Sequence, residues 1–332
     1  MTPNQTIPVI DISSFVKGED SQLMEVAAAQ IRDACTNHGF FYVKGHGVSE
    51  ELQNKLDQLS RTFFSLPEVD KMKIEMAKGG KAWRGYFPVG EEFTSGKPDQ
   101  KEGIYFGTEL PENHQKVLDG IPLHGENLFP EIPAGFESVV LDYMDQVTAV
   151  GHAVLRGIAL SLDLPIDYFD AVTLNDPFIL FRIFRYPPQP ANSSDWGVGE
   201  HSDYGLLTIL KQDAVGGLQV RSKNAWIDAP PIPNTFICNI GDMLDRMTYG
   251  KYRSTLHRVV NRSGKERLSF PLFFDPHFDA VVQPIDGLKE HSQQTDQRWD
   301  GEDVYRFDGP YGQYILNKVS KVFPDLFISN IK

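Results

Sequence analysis

Leu206-Leu207-Thr208-Ile209-Leu210, Leu218-Gln219-Val220 and Thr235-Phe236-Ile237-Cys238 are short apolar runs, separated by Gly216-Gly217 and Pro230-Pro231. Runs of this length suit strands better than helices, and the glycines and prolines between them punctuate as turns do. The pattern extends upstream to Phe178-Ile179-Leu180-Phe181. Downstream it continues through Arg258-Val259-Val260 and, past Ser263-Gly264, Leu268-Ser269-Phe270. Many short strands so separated predict a sandwich or jelly roll over about residues 175–285.

The half before this core reads differently. Ile7-Pro8-Val9-Ile10-Asp11-Ile12 is a short strand that Pro8 confines to a sheet edge. Helical spacing runs from Ser21 to Asn37 and stops before Gly39; Phe40-Phe41-Tyr42-Val43 is then a buried strand, and a second helix spans Ser49 to Phe64. The widest apolar helical face lies between Phe136 and Leu162 and is closed by Pro165. Residues 77–122, rich in Gly, Pro, Lys and Glu with aromatics interspersed, read as a long irregular substrate loop or lid. A last helix near Pro310 to Val322 buttresses the core. The expected fold class is α+β with a mainly β core, a jelly roll with flanking N-terminal helices and a C-terminal helix. Residues 1–332 read as one domain: a helical and strand region at 1–170, the core at 175–285 and the buttress at 286–332.

The formal net charge of −13 leaves no basic footprint for nucleic acid or anionic lipid. Two widely separated cysteines, Cys35 and Cys238, make no disulfide framework and read as buried thiols. The first residues carry neither a basic nor an apolar leader, and no run reaches the roughly 18 apolar residues that span a bilayer. The expectation is a cytoplasmic protein, a monomer or weak oligomer, acting on a small molecule.

His201-Ser202-Asp203 places an imidazole and a carboxylate two positions apart, pointing the same way on an extended chain. His257, 54 positions after Asp203, can supply a third ligand. Two imidazoles and one carboxylate on one face of an octahedron leave three positions open, the arrangement of non-haem Fe(II) oxygenases. Ten residues after His257, Arg267-Leu268-Ser269 offers a guanidinium fork and a hydroxyl on one strand face to a carboxylate. A zinc hydrolase and a catalytically silent metal-binding module use the same three ligands, but neither needs that second pair.

Four segments occur in order: Gly199-Glu200-His201-Ser202-Asp203-Tyr204-Gly205-Leu206-Leu207-Thr208, Asn239-Ile240-Gly241-Asp242-Met243-Leu244, Tyr252-Arg253-Ser254-Thr255-Leu256-His257-Arg258-Val259 and Arg267-Leu268-Ser269-Phe270-Pro271. With Ile7-Pro8-Val9-Ile10-Asp11 and His38-Gly39-Phe40-Phe41-Tyr42-Val43, the chain resembles the isopenicillin N synthase-like Fe(II)/2-oxoglutarate-dependent dioxygenases. The resemblance implies a double-stranded β-helix. It implies His201, Asp203 and His257 as iron ligands, and Arg267, Ser269 and Tyr186 as the grip on 2-oxoglutarate. It implies O2 as co-reactant, succinate and carbon dioxide as co-products, and ascorbate as a candidate reductant. Tyr105, Phe273 and Asp275 become substrate-pocket candidates by family position, and Arg84 a candidate partner for a substrate carboxylate. Phe184 departs from an asparagine common in plant relatives. Asn239, Gly241 and Asp242 read as a tight structural turn. Hydroxylation is the expected outcome. The alternative within the fold is an Fe(II) oxidase, ring-closing or ascorbate-dependent, that does not use 2-oxoglutarate.

Overall fold

The period read between Phe136 and Leu162 is realised as one helix, Phe136–Ser161, in a computed structural model that describes residues 6–94, 96–189, 196–222, 225–288, 301 and 303–330. The first five residues and most of 289–302, part of the expected buttress, lie outside the described residues. The long helix packs on helices Ser21–Asn37 and Glu50–Phe64 and on the outer face of a large sheet. Its close approach depends on Gly151, where a Cβ would lie 2.4 Å from the Phe274 ring. The second helix starts where its cap dictates: Ser49 Oγ accepts from the Leu52 N–H at 3.1 Å, satisfying a donor of the first turn.

Fourteen short strands, β1 to β14 in chain order, occur among the described residues. The large sheet has eight, in the order β1 (Val9–Asp11), β2 (Phe40–Lys44), β12 (Phe236–Ile240), β9 (Leu207–Gln212), β14 (Arg267–Asp275), β7 (Phe178–Tyr186), β6 (Glu102–Gly107) and β3 (Gly85–Phe87). As Pro8 predicts, β1 is an edge strand, parallel to β2. A four-stranded sheet runs β11 (Ala225–Asp228), β10 (Leu218–Ser222), β13 (His257–Val259), β8 (Val198–His201). β4 (Phe93–Thr94) and β5 (Lys97–Pro98) form a separate hairpin. The α+β class with a double-stranded β-helix core is therefore the architecture.

Residues 77–122 are not the irregular lid that their composition suggests. β6 within this stretch is an interior strand, buried at every position and paired with both β3 and β7. Glu102, Gly103 and Gly107 hide it, because charge and glycine are poor strand signals. Glu102 is tolerated because Lys71 Nζ, Tyr86 Oη and Arg185 Nη1 all reach its carboxylate. The C-terminal helix, Tyr311–Val322, is close to the predicted span. Among the described residues no helix is long and apolar enough to cross a membrane.

Candidate active site

His201 closes β8 and His257 opens β13, and these two residues stand opposite each other in antiparallel register. Asp203 follows in the turn after β8. Its Oδ1 lies 3.8 Å from His201 Nε2 and 3.6 Å from His257 Nε2. One ligand atom from each residue falls within 4.8 Å of the others, a span that could hold a metal ion. Each imidazole is oriented by its other nitrogen: His201 Nδ1 lies 2.8 Å from the Gly199 carbonyl and His257 Nδ1 lies 3.2 Å from that of Thr255. With Nδ1–H donating to these carbonyls, the Nε2 lone pairs face the centre. Burial, then the neighbouring His201, pushes the His257 imidazole down to about 4, so it is neutral at physiological pH. Burial opposes the charge of Asp203, but His257, His201, Asn239 and Thr208 outweigh it and hold the carboxyl below its ordinary range. The donor set is thus two neutral imidazoles and one carboxylate, which suits Fe(II).

The second oxygen of Asp203 is tied down by the large sheet. Thr208 Oγ1 of β9 donates to Oδ2 at 2.5 Å, and Asn239 Nδ2 of β12 does so at 2.7 Å. Asn239 therefore does not belong to the tight turn expected of it. It lies near the end of a strand, and Asp242 begins the helix Asp242–Met247. Gly241 lies between them because a Cβ there would meet the Gly205 carbonyl at 2.3 Å. The main chain of Asp242 donates to the Asp203 carbonyl at 2.8 Å, so this segment clamps the metal-binding turn.

β14 brings Arg267 and Ser269 into the cavity that the triad lines, and Tyr186 lies opposite Arg267 on β7. The Arg267 guanidinium sits 4.7 Å from the Tyr186 ring centroid and is wholly buried. Its Nη2 reaches Gln212 at 3.4 Å, while Nε and Nη1 have no hydrogen-bond partner. A buried guanidinium with two unspent donors fits a carboxylate, and the site thus fits a metal with a keto acid beside it.

The cavity, about 150 Å³, lies between the two sheets. Tyr105, Phe273 and Asp275 line it. Arg84 does not. Trp83 takes the cavity side, while Arg84 is buried elsewhere, donating Nη2 to the Leu123 carbonyl at 2.9 Å beside Thr108 and His124. The guanidinium in the cavity, besides that of Arg267, is Arg182, which sequence reading passed over. It stands four positions before Tyr186 on β7, so strand alternation alone puts both on one face. Lys101, also passed over, is buried there in an ion cluster with Asp99 at 2.5 Å and Glu92 at 3.0 Å. Phe184, in place of the plant asparagine, carries Lys101 Nζ 4.8 Å above its ring. Ile315, Val319, Val322 and Phe323 close the remaining side.

The profile described as 2OG-Fe(II) oxygenase superfamily matches residues 175–276, and that of the non-haem dioxygenase N-terminal region, named for morphine synthesis, matches 7–132. A probable iron/ascorbate oxidoreductase of Dictyostelium discoideum is 51% identical, over 97% of this chain and 96% of that one. The chain belongs to the 2OG-Fe(II) oxygenase superfamily. Membership makes this oxygenase an oxidoreductase that works with Fe(II) and 2-oxoglutarate. The oxygenase is also 42% identical to a 1-aminocyclopropane-1-carboxylate oxidase of Dictyostelium mucoroides, over 97% of this chain and 96% of that one. Its fold matches that of a full-length Neurospora crassa protein in complex with alpha-KG and thymine, with a TM-score of 0.79, 28% identity and coverage of 96% and 98%.

Proposed function

We propose that the oxygenase hydroxylates a small organic molecule, with Fe(II) on His201 Nε2, Asp203 Oδ1 and His257 Nε2 and with 2-oxoglutarate held by Arg267, Ser269 and Tyr186. The observation that carries this reading is the buried Arg267 guanidinium, with two unspent donors, in the cavity of the triad. Bound Fe(II) would supply the redox chemistry that couples O2 and the keto acid to oxidation of a C–H bond. The chain's residues do the rest. Arg267 and Ser269 fix the far carboxylate and so aim the keto-acid end at the metal. Asn239 and Thr208 hold the Asp203 carboxylate in one orientation. The apolar side chains of the C-terminal helix keep water from the reacting carbon. We place the enzyme in the cytoplasm as a monomer or weak oligomer that binds neither nucleic acid nor membrane, in keeping with its net charge of −13.

Anaerobic Fe(II) loading followed by 2-oxoglutarate should give the visible metal-to-ligand charge-transfer band. His257→Ala should abolish it, and Arg267→Ala should shift its midpoint to higher 2-oxoglutarate. Iron uptake with no band in the wild type would instead favour the oxidase that needs no keto acid, the reading behind which the likeness to 1-aminocyclopropane-1-carboxylate oxidase stands. Substrate-linked succinate together with a product heavier by one oxygen supports hydroxylation; an unsaturated or cyclised product sinks it.

A further inference from the structure

Resting on that reading, we propose that the substrate is a zwitterionic amino acid, its carboxylate taken by Arg182 and its ammonium by Asp275. The two groups share the inner wall of the cavity: Arg182 lies on β7 and Asp275 ends the neighbouring β14. Each is fixed where it stands. Arg182 Nη1 donates to the Phe106 and Phe181 carbonyls at 3.1 and 3.2 Å, and its guanidinium stacks 3.4 Å over the Tyr105 ring. Asp275 Oδ2 accepts from Tyr311 Oη at 2.5 Å.

What they lack is each other. Arg182 makes no ion pair among the described residues, and Asp275 Oδ1 is buried without a hydrogen-bond partner. Glu92 and Asp275 both favour the charge of Arg182, and neither forms an ion pair with it. Opposite charges held apart in a buried site are costly, and a ligand that bridges them lowers that cost. Nearby, Lys101 lies between Asp99 and Glu92 at 2.5 and 3.0 Å, and these carboxylates also accept from Thr94 and Tyr105. A simple acid would leave Asp275 unmatched, and a simple amine would leave Arg182 unmatched. An amino acid satisfies both, and its side chain can lie on Phe273, Leu180 and Ile315. The cosubstrate grip does not compete. Ser269 and Asp275 are six residues apart on one strand, about 20 Å.

The test is calorimetric titration of the anaerobic Fe(II)–2-oxoglutarate enzyme. The probes are the twenty standard L-amino acids and the homologues of lysine and arginine one methylene longer, each with its decarboxylated amine and its des-amino acid. At least one amino acid should bind about 10–100-fold more tightly than either truncated partner. Arg182→Met should erase the advantage over the amine, and Asp275→Asn the advantage over the des-amino acid, both variants keeping the charge-transfer band. The near-isosteric Asp275→Asn decides the point should Arg182→Met fail to fold. A wild-type band with no amino acid bound, or with a truncated partner bound equally well, overturns the amino-acid assignment alone. The absence of a wild-type band would bring down the cosubstrate reading beneath it.

Discussion

Arg267 and Asn239 act at the same centre, yet only one of them is legible from the sequence. Arg267 is two positions from Ser269 in an apolar run, and period-two alternation puts both on one face before any fold is known. Replacing it with alanine removes charge-assisted hydrogen bonds and should weaken 2-oxoglutarate by about 10–100-fold in the band titration, leaving iron affinity near its starting value. Asn239 precedes Gly241 and Asp242, and that composition is what a turn would carry. Its amide instead donates across the fold to Asp203 at 2.7 Å, a contact made by tertiary pairing and invisible along the chain. Asn239→Ala should lower iron affinity by roughly 10–100-fold, read by competition with a chelator. Unchanged affinity would return Asn239 to a purely structural role. Arg84, just before β3, is buried away from the cavity while Arg182 on β7 enters it, because the direction in which each segment is turned is set by tertiary packing and not by composition.

Among the elements, β6 shows what composition conceals. Its first residue, Glu102, has only 2% of its surface exposed, and it ties three parts of the chain together: Lys71 before β3, Tyr86 on β3 and Arg185 on β7. Arg185 continues to Glu266, and Glu266 to Arg61 on helix Glu50–Phe64. The strands of the core were readable because β-branched and aromatic residues cluster between turn residues; this strand was not, since its charge is stabilised by partners far away in sequence. Glu102→Ala leaves Lys71 and Arg185 without their buried counter-charge and should cost about 3–5 kcal/mol of stability in denaturant titration. An exposed carboxylate chosen as control, Asp163, whose ion pair with Arg32 lies at the surface, should cost well under about 1 kcal/mol when replaced by asparagine, which suits its left-handed backbone.

At the scale of the whole molecule, the charge held in the cavity bears on stability. Burial raises the Asp275 carboxyl from 3.8 to about 7, against the opposing hydrogen bond from Tyr311. An acid whose folded value is raised costs nothing below its unfolded value, increasingly more as pH climbs, and its full amount above the folded value. The cost therefore grows between about pH 4 and 7 and is complete at about pH 8, on the order of a few kcal/mol. Asp275→Asn should raise the melting temperature of the substrate-free enzyme at about pH 8, by less at about pH 5 and scarcely at all below about pH 4. A gain that is flat across this range would place the source of the instability elsewhere.

The helix Tyr311–Val322 belongs to neither sheet and bears no ligand of the triad, yet it supplies Ile315, Val319 and Val322 to the wall of the cavity. Oxidising power and shape selection thus reside in separate stretches of one chain. Drift in that helix can retune which molecules are admitted while the iron centre stays as it was. Such a division gives evolution a route from one substrate to the next without passing through an inactive ancestor.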